Sequence, residues 1–343
     1  MTVESSSEAA VSSRIAGILL APLRWAMGLI DLPMSWVQRR LGTGGVVAAM
    51  LAPNMLIFGV FVLFPMFLNV LYSFTGGGAL FLESRVFVGT EQYETLLDCR
   101  TYLDPASCRE DRFWRAAGNT AFFVIVQVVL LVLVSLITAL VLNREMRARG
   151  FWRAVFFFPV LLSPVVVALI WKWILQRNGL LNAALAQVGV EPVLWLVDRN
   201  WAMFWAIFLS IWAHLGFYTL ILLAGLQAIP ADLYEAAEMD GTPRSRVLAR
   251  ITLPLLWPSL VVVILLALIR AVQVFDEVFV LTGGGPGSAT LFLVQYIYET
   301  GLAQQVRNLG LASAASILMA LVLVVLTLIQ LSATAWRERR EKR

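Results

Sequence analysis

The residues able to do polar chemistry are few, and most lie inside long apolar runs. Arg270, Gln273 and Glu277 stand at i, i+3 and i+7 of one run, so a continuous helix would carry them on one face. His214 and Tyr218 are i, i+4 neighbours in another, beside Trp212, Phe217 and Thr219. Polar groups inside a spanning segment are costly, and they face a cavity, a partner helix or one another. Aromatic rings beside hydrogen-bonding groups suit a polyhydroxy solute. The alternative pairs Arg270 with Glu277, or with a carboxylate of a second chain, and leaves His214 as a satisfied core residue. Asp276 falls off the shared face and nearer the end of the run, where a gate or structural role is expected.

Covalent and phosphate chemistry is poorly served. His214 is the single histidine, so neither an HExxH metal site nor a zinc site with Cys99 and Cys108 can be assembled, and a Ser-His-Asp triad would lie deep in an apolar run. A phosphate-binding P-loop needs Gly-Lys-Ser/Thr. Of the two lysines, Lys172 stands between tryptophans and Lys342 between Glu341 and Arg343. The chain is expected to hold no catalytic residue, no metal and no cofactor of its own.

The elements that must position these residues follow from composition. Hydrophobic residues make up 60% of the 343 and charged ones 14%, and mean hydropathy is +0.81, which places the chain among all-α polytopic membrane proteins. Six stretches are long enough to cross about 30 Å of hydrocarbon: 46–74, 116–142, 151–175, 201–228, 256–281 and 308–335. Residues 1–13 read as a disordered tail and 14–45 as an amphipathic segment on the cytoplasmic surface. A spanning helix there would bury Arg24, at roughly 2.5–3.5 kcal/mol. With the amino terminus inside, sixteen of the 26 Lys and Arg residues fall on inner segments, eight on outer loops, and Lys172 and Arg270 within spans. Both termini, including the basic tail 336–343, are therefore expected in the cytoplasm. The first outer loop, about 75–114, carries Cys99 and Cys108. A disulfide is allowed on that face, with two free thiols as the alternative.

The same charge count places a polar interruption, Pro230 to Pro258, on the inner face. Pro230 and Asp232 open a short helix, Gly241 breaks it, and Thr242-Pro243 reads as an N-cap with proline at the first helical position. A second short amphipathic helix is expected to end at Leu253-Pro254. His214 precedes Gly241 by 27 residues and Arg270 follows it by 29, so in an antiparallel hairpin the two lie at similar depth.

Glu235-Ala236-Ala237, then Asp240-Gly241, then Ile251 and Leu253-Pro254 resemble the EAA loop of ABC-importer permeases. Phe156-Phe157-Phe158-Pro159, Ser163-Pro164-Val165-Val166, Gly179-Leu180-Leu181-Asn182 and Leu223-Ala224-Gly225-Leu226-Gln227 resemble carbohydrate importers of the maltose and glycerol-3-phosphate type. Phe275-Asp276-Glu277-Val278 and Thr282-Gly283-Gly284-Gly285-Pro286-Gly287 look like the signature of one permease type in such heterodimers. The resemblance covers about residues 46–335, with 116–335 as the permease core and 46–115 as the first helix and long outer loop. It implies a type I importer permease of the bacterial inner membrane that moves a sugar or sugar derivative by alternating access. It also implies a second permease subunit, two ATPase subunits that use ATP and Mg, and an external solute-binding protein. Glu235, Ala236, Ala237, Asp240 and Gly241 would couple to the ATPase. His214, Phe217, Tyr218, Arg270, Gln273 and Glu277 would line the substrate path. An ABC permease for a non-sugar solute and a stand-alone secondary carrier are the competing readings; the carrier would show broken helices related by an internal repeat.

Overall fold

The computed structural model describes residues 38–40 and 42–341. The expected tail 1–13, the amphipathic segment up to residue 37, and Lys342 and Arg343 lie outside the described residues. The chain divides into two compact units, 1–69 and 70–343. Helix α1, Gly42–Ser73, is long and apolar enough to cross a membrane and contains a π-helical turn at Gly59–Leu63.

The second unit is built on α3 (Asp111–Asn143), α7 (Arg199–Gln227), α9 (Arg244–Val272) and α12 (Leu309–Glu341). Phe123 and Leu131 of α3, Leu222 and Leu226 of α7, and Leu256, Leu260 and Val263 of α9 close into one buried cluster. Lipid tails are as apolar as leucine, so packing quality rather than water exclusion holds such helices together. Small residues at the seams, here Ala139, Ala206, Ala267 and Ala271, let the backbones approach.

Two of the expected spans are not single helices. Residues 149–186 form α4 (Arg149–Phe157), a 3-10 turn at Phe158–Leu161, α5 (Pro164–Leu175) and α6 (Leu180–Ala186), with a 99° bend after Leu161. Pro159 and Pro164 supply the reason: neither has an N–H to donate, and Ser163, before Pro164, is pushed to an extended ψ of 136°. The second correction concerns 256–281. Helix α9 stops at Val272, and α10 (Asp276–Thr282) starts afresh after Phe275, whose φ of −147° and ψ of −67° are non-helical. Arg270, Gln273 and Glu277 are thus not on one continuous helical face. The break places Asp276 and Glu277 in the first turn of α10, where free amide N–H groups favour negative charge.

The expected stop at Leu253-Pro254 is also overturned. Helix α9 runs through Pro254 and Pro258, with a π-helical turn at Leu248–Thr252 just ahead of Pro254. A widened turn relieves the ladder where a proline cannot donate. Nor does Thr242 cap this helix: Pro243 occupies the N-cap and no side chain bonds there.

The loop after α1 is folded. Strands β1 (Thr75–Gly76) and β2 (Val86–Phe87) pair antiparallel, and α2 (Glu91–Leu97) follows. Leu96, Phe113 and Ala116 pack with Leu291, Leu311, Ala314 and Ala315, and with Tyr296 of α11 (Leu293–Tyr298). The loop thus packs on α3 and α12, and the Tyr93 hydroxyl donates to Ser73 Oγ at the end of α1. Cys99 and Cys108 are joined as a disulfide at 2.01 Å, and Arg100 N–H donates to the Ser107 carbonyl across the same loop. Glu110, just ahead of α3, is half-buried beside Tyr296, and this burial pushes its carboxyl above the ordinary range. Arg112 pairs with Glu299 at 2.5 Å and closes the cluster.

Candidate transport cavity and coupling loop

A cavity of about 440 Å³ opens between α7, α9 and α10. Helix α7 contributes Phe217 and Tyr218, the end of α9 contributes Arg270, and the break contributes Gln273, Phe275, Asp276 and Glu277. Five of the six residues expected on the substrate path therefore meet at one void, although by a different route. The helix break, not helical periodicity, turns Glu277 toward the others. Asp276, expected off that face, is on the same wall and exposed.

His214 is the sixth, and it is not in the lining. It is buried, with Nδ1 2.7 Å from the Ser210 carbonyl oxygen one turn earlier. Ser210 Oγ donates to Glu277 Oε1 at 3.5 Å. Ser210 thus ties His214, behind the cavity wall, to Glu277 in its lining. Phe275 is one of the lining residues that sequence reasoning passed over as a site. It stacks on Phe279 at 5.1 Å and packs against Tyr298 at 5.3 Å, which fixes its ring at the break.

Beyond α10 the chain turns through Gly283, Gly284 and Gly287, with a cis bond at Gly285-Pro286. A side chain at Gly284 would meet both a positive φ of +87° and the Gln295 amide. Thr290 Oγ1 donates to the Gly285 carbonyl at 2.6 Å. The Asn119 side-chain amide donates to the Ser288 and Leu291 carbonyls at 2.8 and 3.1 Å. Asn119 is a structural key to the loop, and nothing in its local sequence announces it.

At the other end of α9, the polar interruption folds as α8 (Ala231–Met239), a tight turn, and the start of α9. The turn is a Schellman cap: Thr242 N–H donates to the Ala237 carbonyl at 2.9 Å and Gly241 N–H to the Glu238 carbonyl at 3.0 Å. Gly241 has a φ of +64° and no atom near where a Cβ would stand, so its requirement is conformational rather than steric. Ala237 is buried within this chain, and the Tyr234 hydroxyl lies 3.2 Å from Thr252 Oγ1 of α9. Glu235, Ala236, Asp240 and Met239 are exposed. The two alanines therefore face opposite ways, Ala237 inward and Ala236 outward. A cavity of about 730 Å³ lies beside the turn, lined by Tyr234, Glu238, Thr242 and Arg244 among others. Among the described residues no three His, Cys, Asp or Glu side chains are grouped to hold a metal ion.

Residues 131–343, which include this turn and the cavity, match the family model described as binding-protein-dependent transport system inner membrane component. The chain belongs to that family. Members at this level of similarity include the trehalose/maltose transport system permease protein MalF of Thermococcus litoralis. It is 36% identical over 292 residues, covering 84% of this chain and 93% of that protein. The sulfoquinovosyl glycerol transport system permease protein SmoG of Agrobacterium fabrum is 34% identical over 284 residues, covering 81% and 87%. A solved bacterial ABC transporter involved in import of the acidic polysaccharide alginate superposes with a TM-score of 0.71 at 25% identity, covering 84% of this chain and 95% of its own. The protein is thus a multi-pass inner membrane component. Among the described residues, the helices long and apolar enough to cross a membrane number five, or six when the bent pair counts as one span.

Proposed function

We propose that this inner membrane component is one of two permease subunits of an ATP-driven sugar importer. The observation that carries the reading is the hairpin α7–α8–α9. One rigid pair of helices holds the exposed coupling turn at one end and the aromatic, polar cavity along its length. Relatives named for maltose, lactose and sulfoquinovosyl glycerol transport support a sugar as the solute. Exposed Glu235, Ala236 and Asp240 form the face offered to a separate ATPase subunit, which binds the ATP and Mg. Ala237, Tyr234 and Thr252 fasten that face to α9. When the ATPase pair closes on ATP, the turn moves and the hairpin carries the motion to the cavity. Both termini and the coupling turn lie on the cytoplasmic side in this reading.

An external binding protein delivers the sugar at the opposite end. A cleft of about 680 Å³ there, lined by Asp104 of the disulfide loop, Trp114 and Arg115 of α3, Arg199 of α7 and Ser288 of the glycine loop, supports that side as its seat. A solved relative was crystallised with a pentasaccharide-bound periplasmic protein. The test is ATP hydrolysis by the complex in proteoliposomes, with the binding protein and a sugar panel. Stimulation by a sugar is expected. Solute uptake by this subunit without any ATPase would overturn the reading.

A further inference from the structure

We propose that Arg270 is the specificity determinant for an acidic group, a carboxylate or sulfonate, on the transported sugar. The inference rests on the import function proposed above and names its substrate class. A guanidinium inside a spanning segment needs a counter-charge, because desolvating it alone is expensive. No carboxylate oxygen lies within 4.0 Å of Arg270: among the described residues, ion pairs form only between Arg112 and Glu299 and between Arg115 and Asp111.

Of the carboxylates nearest in sequence, Glu277 is engaged elsewhere, and Asp276, exposed on the same wall, makes no ion pair with Arg270. Glu277 is buried and receives the Ser210 hydroxyl, and both Glu277 and Asp276 occupy the first turn of α10, whose free amides favour their charge. Arg270 itself is exposed to the cavity, with Phe217, Tyr218 and Phe275 around the same void. An exposed planar fork among three aromatic rings can bind a carboxylate or sulfonate through two parallel hydrogen bonds while the rings cover the sugar face. Gln273 adds amide donors and an acceptor for hydroxyls. A neutral sugar would leave the guanidinium without an ion pair in the void.

The test uses the whole complex in proteoliposomes, with its binding protein, and matched pairs of probes: oligogalacturonides and their methyl esters, sulfoquinovosyl glycerol and glucosyl glycerol. Acidic members are expected to stimulate ATP hydrolysis and uptake, and Arg270→Gln to raise the KM for them about ten- to a hundredfold. Arg270→Lys should recover part of that loss, and the neutral partner of each pair should be moved far less. Equal stimulation by the neutral partners, or an equal effect of Arg270→Gln on both, overturns the inference and leaves the import function standing. Failure of Arg270→Gln to assemble with the second permease, rescued by lysine, makes a partner carboxylate the counter-ion and overturns it also. Absence of stimulation by every sugar in the wider panel removes the import function itself, and this inference with it.

Discussion

The two ends of α9 break opposite rules. At the end near Gly241 the helix passes through Pro254 and Pro258 without stopping. At the other end it stops at Val272, where neither proline nor glycine is near. The difference shows what each end is fitted to. Near Pro254, the π-helical turn at Leu248–Thr252 absorbs the missing donor, and Leu256 and Leu260 hold the helix in the α3–α7–α9 core. Near Val272, continuing the helix would carry Gln273, Asp276 and Glu277 along a mid-helix face with no free amides. The break instead gives the carboxylates a helix start and directs Gln273, Phe275 and Glu277 into the cavity. One end is built for stiffness and the other for a wall.

That contrast can be tested at both ends. The largest effect is expected at the stiff end. A β-branched residue in the left-handed conformation of Gly241 is strained by roughly 1–2 kcal/mol, and the Schellman turn that seats α8 on α9 would open. Gly241→Val should insert and pair normally yet lose at least about tenfold of sugar-stimulated ATP hydrolysis, since the strain falls on the coupling turn. Normal stimulation would remove α8 from the coupling path.

At the wall end, Asn119→Ala strips donors from the Ser288 and Leu291 carbonyls. The expected loss is about 2 kcal/mol, read as a lower midpoint in thermal unfolding in detergent, together with slower uptake. An unchanged midpoint would show that the glycine loop holds itself without α3.

A smaller, pH-dependent effect is expected at Glu110. Its carboxyl is raised by burial, so the folded state keeps a proton that the unfolded chain has already lost. Stability from this group therefore falls as pH rises from the unfolded value through the raised folded value. Glu110→Gln should remove that loss, raising the midpoint at neutral pH and leaving it nearly unchanged at acidic pH; the opposite pH order would contradict the assignment.

The smallest effect belongs to Pro258→Ala. Because the helix already accommodates the ring, the change should stay within about 1 kcal/mol and leave transport intact, far below the ~3 kcal/mol that proline costs in an unadapted helix. A large gain in stability would mean that the helix is under proline strain after all.

The membrane class, the approximate spans and the tight turn at Gly241 were legible from residues 46–335 because each rests on local chemistry. Apolar runs, prolines and one glycine between short helices say where the chain can cross and where it must turn. Gly241 is a good case: its left-handed cap was readable from a glycine after a short helical pattern. Pro254 is the counter-example, since a proline reads as a stop and only the π turn before it shows otherwise.

The residues expected on a substrate path were legible as types and misread as geometry. Arg270, Gln273 and Glu277 share a void through a broken helix. His214 proved to be a buried residue behind the wall, bonded to Ser210, and Phe275 a lining residue. Which buried polar group faces a void depends on every neighbour packed around it, and no local pattern carries that information. Asn119 reaches its partners in the glycine loop across about 170 positions of chain. Sequence by itself determined that this chain crosses a membrane and where the turn at Gly241 lies, because hydropathy and turn chemistry are properties of neighbours along the chain. Only the tertiary structure decided which side chains meet at the cavity and which carboxylates leave Arg270 free, because burial and pairing are properties of neighbours in space.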